Sequence, residues 1–354
     1  MGGAARRTHR TAVRGSRLDQ FDIGAPPSAS RSTQTLAIIM RVPECEREVT
    51  AMCGIAGIMF KNGGGADPAG RALIDMLDGC QHRGPDSTGF ALYGDAVDGE
   101  LLLRFFVGEG EEADQSIARI KGALHKHSAR IVEDERVGSN YRVRASFDGD
   151  VRKLAYDVEH AAKVISIGSS LEIVKDVGSA HEVDDHYGVS GFHGTHGLGH
   201  VRLATESAVK PEAAHPFWAT GFADVAIVHN GQITNYWKMR RRLEQRDYAF
   251  TTDNDSELIA VYLADKLSQG IALRDALATS IDDLDGTFSF LVSTRDEIGY
   301  AKDRLAVKPM IMYETDDLVA VASEEVSLNR LFPGQALNTR EPPPGTCATW
   351  SRSI

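Results

Sequence analysis

A thiol stands at Cys53 inside the stretch Met52-Cys53-Gly54-Ile55-Ala56-Gly57. If Met52 is an initiator, its removal before a small residue leaves Cys53 with a free α-amino group. That amine has a pKa of about 7.7–8.0 and so suits a general base near neutral pH. Nucleophile and base would then share one residue, and the amine would activate a thiol of pKa about 8.5. Taken alone, a cysteine in an apolar run is more often a small buried hydrophobe. The 51 residues before Met52 can be a propeptide, a disordered tail or sequence upstream of the true start. Methionine has no use at the last position of a propeptide, so the third reading is favoured.

A covalent acyl route also needs donors for a developing oxyanion. Val225 to Ile233 supplies an apolar approach followed by Asn230-Gly231. Asn-Gly is first a hairpin-turn signal, but a tight turn can also aim the Asn230 amide and the Gly231 N–H at one point. Arg202, after an apolar approach, could clamp a carboxylate with two parallel hydrogen bonds or form a surface ion pair. Asn254 with Glu257 fits a helix capping box, where Asp255 is favoured by the helix dipole. A carboxylate fixed there could equally pair with an ammonium. Together Arg202 and Asp255 outline a pocket for an amino acid.

The elements around these residues follow from periodicity. Residues 53–60 read as a buried strand, 68–79 as an amphipathic helix, and 81–89 as a turn-rich loop. Residues from about 100 to 186 run strand, helix, two hairpin-like strands, helix, strands, resembling a β-α-β-β-α-β ferredoxin-like insert. It is read as a structural or partner-docking elaboration, with a small-molecule regulatory site as the alternative. Helices follow at about 255–269 and 271–282, and residues 287–350 alternate strand and turn. The result is a layered α+β domain over 52–354 with one insert, after a leader of 1–51.

Composition narrows the function classes. With 39 basic and 50 acidic residues the net charge is −11, which disfavours nucleic acid and anionic membranes as partners. The apolar run at Leu36 to Met40 is too short and too deep for a secretory signal, and no run is long enough to span a bilayer. Four scattered cysteines fit a reducing, cytoplasmic setting rather than a disulfide framework. His181 and His186 are five apart and would not share a helix face, so no metal site is expected.

These residues resemble the class II glutamine amidotransferases, the N-terminal-nucleophile (Ntn) glutaminases. The motifs occur in family order: Cys53-Gly54-Ile55-Ala56-Gly57, His82-Arg83-Gly84-Pro85-Asp86, Arg202-Leu203-Ala204-Thr205, His229-Asn230-Gly231, Asp255-Ser256-Glu257, and Ala301-Lys302-Asp303 to Lys308-Pro309. The resemblance implies a four-layer αββα Ntn-hydrolase sandwich, with Cys53 attacking the glutamine side-chain amide through a γ-glutamyl thioester. It also implies that Asn230 and Gly231 form the oxyanion hole, Arg202 and Thr205 hold the carboxylate, Asp255 binds the amino group, and Arg83 supports. The long separation of Arg83 from Arg202 departs from the family pattern, and an attached leader would block the amine.

No cofactor is expected in this chain. The expected partners are glutamine and a separate synthase subunit that takes the ammonia, in a complex similar to glutamate synthase or N-methylglutamate synthase. Two other readings stay open: an Ntn amide hydrolase coupled to no synthase, and a non-catalytic regulatory module should the leader be retained.

Overall fold

The fold places one short strand of small residues between two layers. The computed structural model describes residues 53–62, 67–203 and 210–352. Strand β1 (Gly54–Phe60) alternates its faces: Ile55 and Met59 point one way, Ala56 and Ile58 the other. Gly57 lies where a Cβ would meet Leu291 Cδ1 at 2.9 Å. Only a residue without a side chain allows that approach.

Strand β1 is central in a six-stranded sheet. Its antiparallel neighbours are β8 (His196–Arg202) and β14 (Leu318–Ala322), with β2 (Ser87–Tyr93) and β7 (Leu171–Val177) beyond β8 and β13 (Ile311–Glu314) beyond β14. A second, five-stranded sheet runs β15 (Cys347–Ser351), β12 (Glu297–Lys302), β11 (Gly286–Ser293), β10 (Ala226–Ile233), β9 (Phe217–Trp218). The two sheets share one apolar core, in which Ile55, Met59 and Leu198 meet Val228, Leu291 and Ile298. Helix α1 (Ala69–Cys80) covers the outer face of the first sheet through Leu73, Ile74 and Leu77. Helices α5 (Tyr236–Glu244), α6 (Asp255–Ser268) and α7 (Leu273–Asp283) cover that of the second, against Ile227, Phe290 and Val292.

A third sheet, sharing that core through Leu103, Phe105 and Ile167, is built from β3 (Glu100–Phe106), β4 (Arg130–Val137), β5 (Asn140–Ser146) and β6 (Lys163–Gly168) in the order β4-β5-β3-β6, all antiparallel. Helices α2 (Gly110–Lys126) and α3 (Val151–Glu159) pack on it through Ile120, Leu124, Leu154 and Val158. This unit ends at Gly168, short of the boundary near residue 186 read from the sequence. Strand β7 pairs instead with β2 in the six-stranded sheet, and α4 (Ala180–Tyr187) follows it. The chain thus returns to the main body 18 residues early, because β7 buries Leu171 and Ile173 there. Helix α8 (Glu325–Leu331), in a region read as strand and turn, packs on α1. Among the described residues no helix is long and apolar enough to cross a membrane.

Candidate active site

Cys53 immediately precedes β1 and is half-buried, with Sγ 3.8 Å from the carbonyl of Leu203. Its own carbonyl oxygen is the meeting point of three elements. Asn230 Nδ2 on β10 donates to it at 2.8 Å, and Arg83 Nε, on the single turn Gln81–Arg83, donates at 3.2 Å. Arg83 is held by an ion pair to Glu324, just past β14. The neighbouring Ser323 hydroxyl accepts from Asn230 Nδ2 at 3.2 Å and from the Ile55 amide at 2.9 Å. The backbone at the thiol is therefore fixed from both sheets. Burial pushes the Cys53 thiol above its usual range, against the opposing pull of the Arg202 and Arg83 charges.

The Asn-Gly pair does not form the hairpin turn that its composition suggests. Both residues lie within β10, Asn230 opposite Ser289 and Gly231 opposite Phe288 in the ladder with β11. Glycine is needed there for another reason: φ is +141°, and a Cβ would fall 2.0 Å from the carbonyl oxygen of Thr287. Gly231 is exposed while Asn230 is buried.

Arg202 ends β8 and is 6% exposed, so it is not the surface residue of the alternative reading. Its charge acts on the Cys53 thiol. Thr205 lies outside the described residues.

Asp255 opens α6, and its carboxylate ties that helix to the end of β10. Oδ2 accepts from the Ile233 amide at 3.0 Å and Oδ1 lies 3.5 Å from His229 Nδ1. Burial pushes this carboxyl upward, but His229 and the amides of Ile233 and Ser256 outweigh it and hold it below the usual range. It is ionised at neutral pH, as an ammonium-binding group must be. Asn254 does cap the helix, accepting from the Ser256 amide at 2.8 Å. Glu257 does not complete the expected capping box. Its buried carboxylate instead accepts from the amides and hydroxyls of Thr251 and Thr252 and from the Thr220 hydroxyl.

The sequence gives no role to Ser323, Glu324 or His229, and gives Glu257 only that of a capping-box partner. His229 sat in a quoted motif, but its contact with Asp255 depends on a partner 26 residues away. A layer of buried histidines continues from it: His215 Nε2 and His229 Nδ1 both reach Ser256 Oγ, and His215 stacks on His200 at 4.0 Å. Among the described residues no group of three or more His, Cys, Asp or Glu is placed to hold a metal. His181 pairs with Asp78, and His186 lies edge-on to Tyr187.

Residues 200–330 match the model of the glutamine amidotransferase domain family. The chain is 41% identical to a Methanothermobacter thermautotrophicus protein named "Putative glutamine amidotransferase", over 79% of this chain and 94% of that one. It is 36% identical to the glutamine amidotransferase-like protein GlxB of Rhizobium meliloti, over 84% and 98%. Among solved structures it is similar to the glutamine phosphoribosylpyrophosphate amidotransferase of B. subtilis, with a TM-score of 0.53 and 22% identity over 84% of this chain. It spans about half, 47%, of that longer chain, and the likeness is one of mixed α/β fold. Site geometry, fold and near-full-length similarity agree: this chain belongs to the class II glutamine amidotransferases.

Proposed function

We propose that Cys53 is the nucleophile of a glutaminase whose ammonia passes to a separate synthase subunit. The observation that carries the assignment is the Asn230 amide 2.8 Å from the carbonyl of Cys53. It ties the proposed oxyanion donor to the residue that would be acylated. Sγ attacks the side-chain carbonyl carbon of glutamine while its proton moves to the α-amine of the same residue. Asn230 Nδ2 and the Gly231 N–H stabilise the resulting oxyanion. Collapse breaks the C–N bond, and the amine returns the proton to the departing ammonia. Water then cleaves the thioester, giving glutamate and the free thiol. Arg202 and Thr205 hold the substrate carboxylate, Asp255 its ammonium, and Arg83 orients the Cys53 peptide. This scheme requires a chain that starts at Cys53, and it needs no cofactor.

The order helix, sheet, sheet, helix described above supports a four-layer αββα sandwich. The β4-β5-β3-β6 order supports an inserted ferredoxin-like subdomain. A synthase partner is supported by exposed apolar groups beside the site. Trp237, four residues beyond Ile233, is 66% exposed. Leu305 is 72% exposed, in a loop that Asp303 fastens to the Phe288 amide opposite Gly231. These two side chains are where we place the synthase subunit. We assign the acceptor chemistry to a glutamate- or N-methylglutamate-synthase-like complex in the cytoplasm.

The test is ammonia and glutamate release by a chain beginning at Cys53, with glutamine compared against asparagine and simple amides. Release from glutamine that is absent in Cys53→Ala supports the reading, and turnover by Cys53→Ala removes it. Co-purification identifies the acceptor subunit.

A further inference from the structure

Behind Asp255 lies a ring that none of the sequence motifs includes. His215 stands two residues before β9 and is 6% exposed. Lys175, buried on β7, donates from Nζ to the carbonyls on either side of it, Ala214 at 2.8 Å and Pro216 at 3.3 Å. On β2, Gly89 leaves room for the same segment, since a Cβ there would fall 2.1 Å from the His215 carbonyl oxygen. The ring stacks on His200 of β8 at 4.0 Å and meets Phe217 edge-on at 4.9 Å. Strands β2, β7 and β8 thus fix the backbone and the ring plane of a side chain to which the glutaminase scheme gives no task.

The protons of this layer follow by elimination. The His229 amide donates to His215 Nδ1 at 3.4 Å, so that nitrogen is an acceptor. A neutral imidazole then carries its hydrogen on Nε2, which lies 3.3 Å from Ser256 Oγ. Burial, followed by the charges of His200, His229, Lys175 and Arg202, pushes His215 well below its usual range and keeps it neutral at pH 7. His229 Nε2 is buried with no hydrogen-bond partner among the described residues. A proton there would be a donor left unmade, so the ring carries its hydrogen on Nδ1 alone. That nitrogen is 3.1 Å from Ser256 Oγ and 3.5 Å from Asp255 Oδ1.

With Ser256 Oγ accepting from both rings, its own proton turns to Asp255 Oδ1, at 3.5 Å. The contact is long for a hydroxyl, so it directs the carboxylate more than it strengthens the fold. The other oxygen, Oδ2, is held by the Ile233 amide at 3.0 Å.

From this we propose that His215 is a positioning residue for ammonium recognition: through Ser256 it orders the hydrogen bonds that hold the Asp255 carboxylate in the orientation the substrate needs. The inference rests on the assignment of Asp255 to the glutamine ammonium. Neutral rings suit the role, because a charged layer would compete with the substrate for the same carboxylate.

Two measurements test it. Histidine nitrogen NMR on the full chain should show His215 protonated at Nε2 alone and His229 at Nδ1 alone. The opposite tautomer in either ring overturns the inference. Kinetics use the chain beginning at Cys53, the form in which the proposed function operates. His215→Leu should raise KM for glutamine about tenfold, with kcat held within about twofold. The inhibition constant of L-glutamate should rise equally, while that of glutarate, which lacks the ammonium, stays unchanged. His215→Gln, whose amide can replace the Nε2 donor, should recover most of the loss. Ser256→Ala removes only the hydroxyl and should show the same split where His215→Leu does not fold. Equal weakening of L-glutamate and glutarate, or a loss of kcat at unchanged KM, makes His215 merely structural and overturns the inference. A parent chain that leaves glutamine intact is a different result: it removes the glutaminase reading and, with it, this inference.

Discussion

The side-chain amide of Asn230 donates at once to the carbonyl of Cys53, at 2.8 Å, and to the hydroxyl of Ser323, at 3.2 Å. Both of its N–H groups are thus held in place before substrate arrives, and an oxyanion takes over one of them by displacing the longer Ser323 contact. Preorganised donors of this kind contribute because they need no reorientation during reaction. Asn230→Ala should lower kcat for glutamine hydrolysis by about 10²–10³-fold with little change in KM. Steady-state ammonia release measures both constants. A rise in KM with kcat intact would place Asn230 in substrate binding instead.

The Cys53 thiol is raised by burial, so at a given pH it holds less thiolate than an exposed cysteine. In a chain that retains the residues before Cys53 there is no amine to take the proton. Alkylation by iodoacetamide, followed at the Cys53 peptide by mass spectrometry, should have its midpoint above the ordinary ~8.5. A chain starting at Cys53 should hydrolyse glutamine with a rate that climbs as its amine deprotonates, around pH 7.7–8.0. An alkylation midpoint below 8.5 in the longer chain would contradict the burial effect.

Local patterns made strand β10 and its glycine legible, yet the turn that Asn-Gly suggests does not form. Asn230-Gly231 carries a turn composition, but its φ is set by the Thr287 carbonyl on β11, more than 50 residues away in sequence. Glu257 stands three residues after Asn254 and fits a capping box. The carboxylate goes to Thr251 and Thr252 because the chain folds back over α6, which no spacing rule reveals. Helix α5 was missed because its apolar face is only Tyr236, Met239 and Leu243 among four basic residues. Arg202 and Asp255 were legible because one ends and the other begins an element with a clear apolar run.

Glu257 gathers five donors in a buried setting and so fixes the loop that leads into Asp255. Glu257→Ala should destabilise the fold by about 3 kcal/mol or more, since the threonine amides lose a charged acceptor. It should also raise KM for glutamine, because Asp255 follows directly. Glu257→Gln, which keeps an acceptor, should show a smaller loss of both. Chemical denaturation with parallel kinetics checks this. Equal losses in the two variants would mean that the negative charge, not the hydrogen bonding, is what matters.

If Trp237 and Leu305 meet a synthase subunit, their loss should separate docking from chemistry. Neither contacts Cys53, and both are largely exposed. The double variant Trp237→Ala, Leu305→Asp should keep its glutaminase rate and unfolding temperature but recover less partner on co-purification. Unchanged recovery would move the interface to another face.

Acid should unfold the protein through its buried histidines. Burial holds His200 down to about 3 and His196 to about 4, against an ordinary 6.5, while His215 is also pushed well below that value. The unfolded chain therefore binds protons at pH 5 that the folded chain refuses. With the folded pKa depressed, the stability is fully present above pH 6.5 and is lost progressively as pH falls toward the folded value. At pH 5 one such histidine costs about 2 kcal/mol relative to pH 7. His200→Phe, which keeps the ring stacked on His215, should remove about that share of the pH dependence. Urea titrations of both proteins at pH 7 and pH 5 give the comparison. If the variant and the parent lose equal stability between those two pH values, His200 is protonated in the folded state and the buried layer is not the acid trigger.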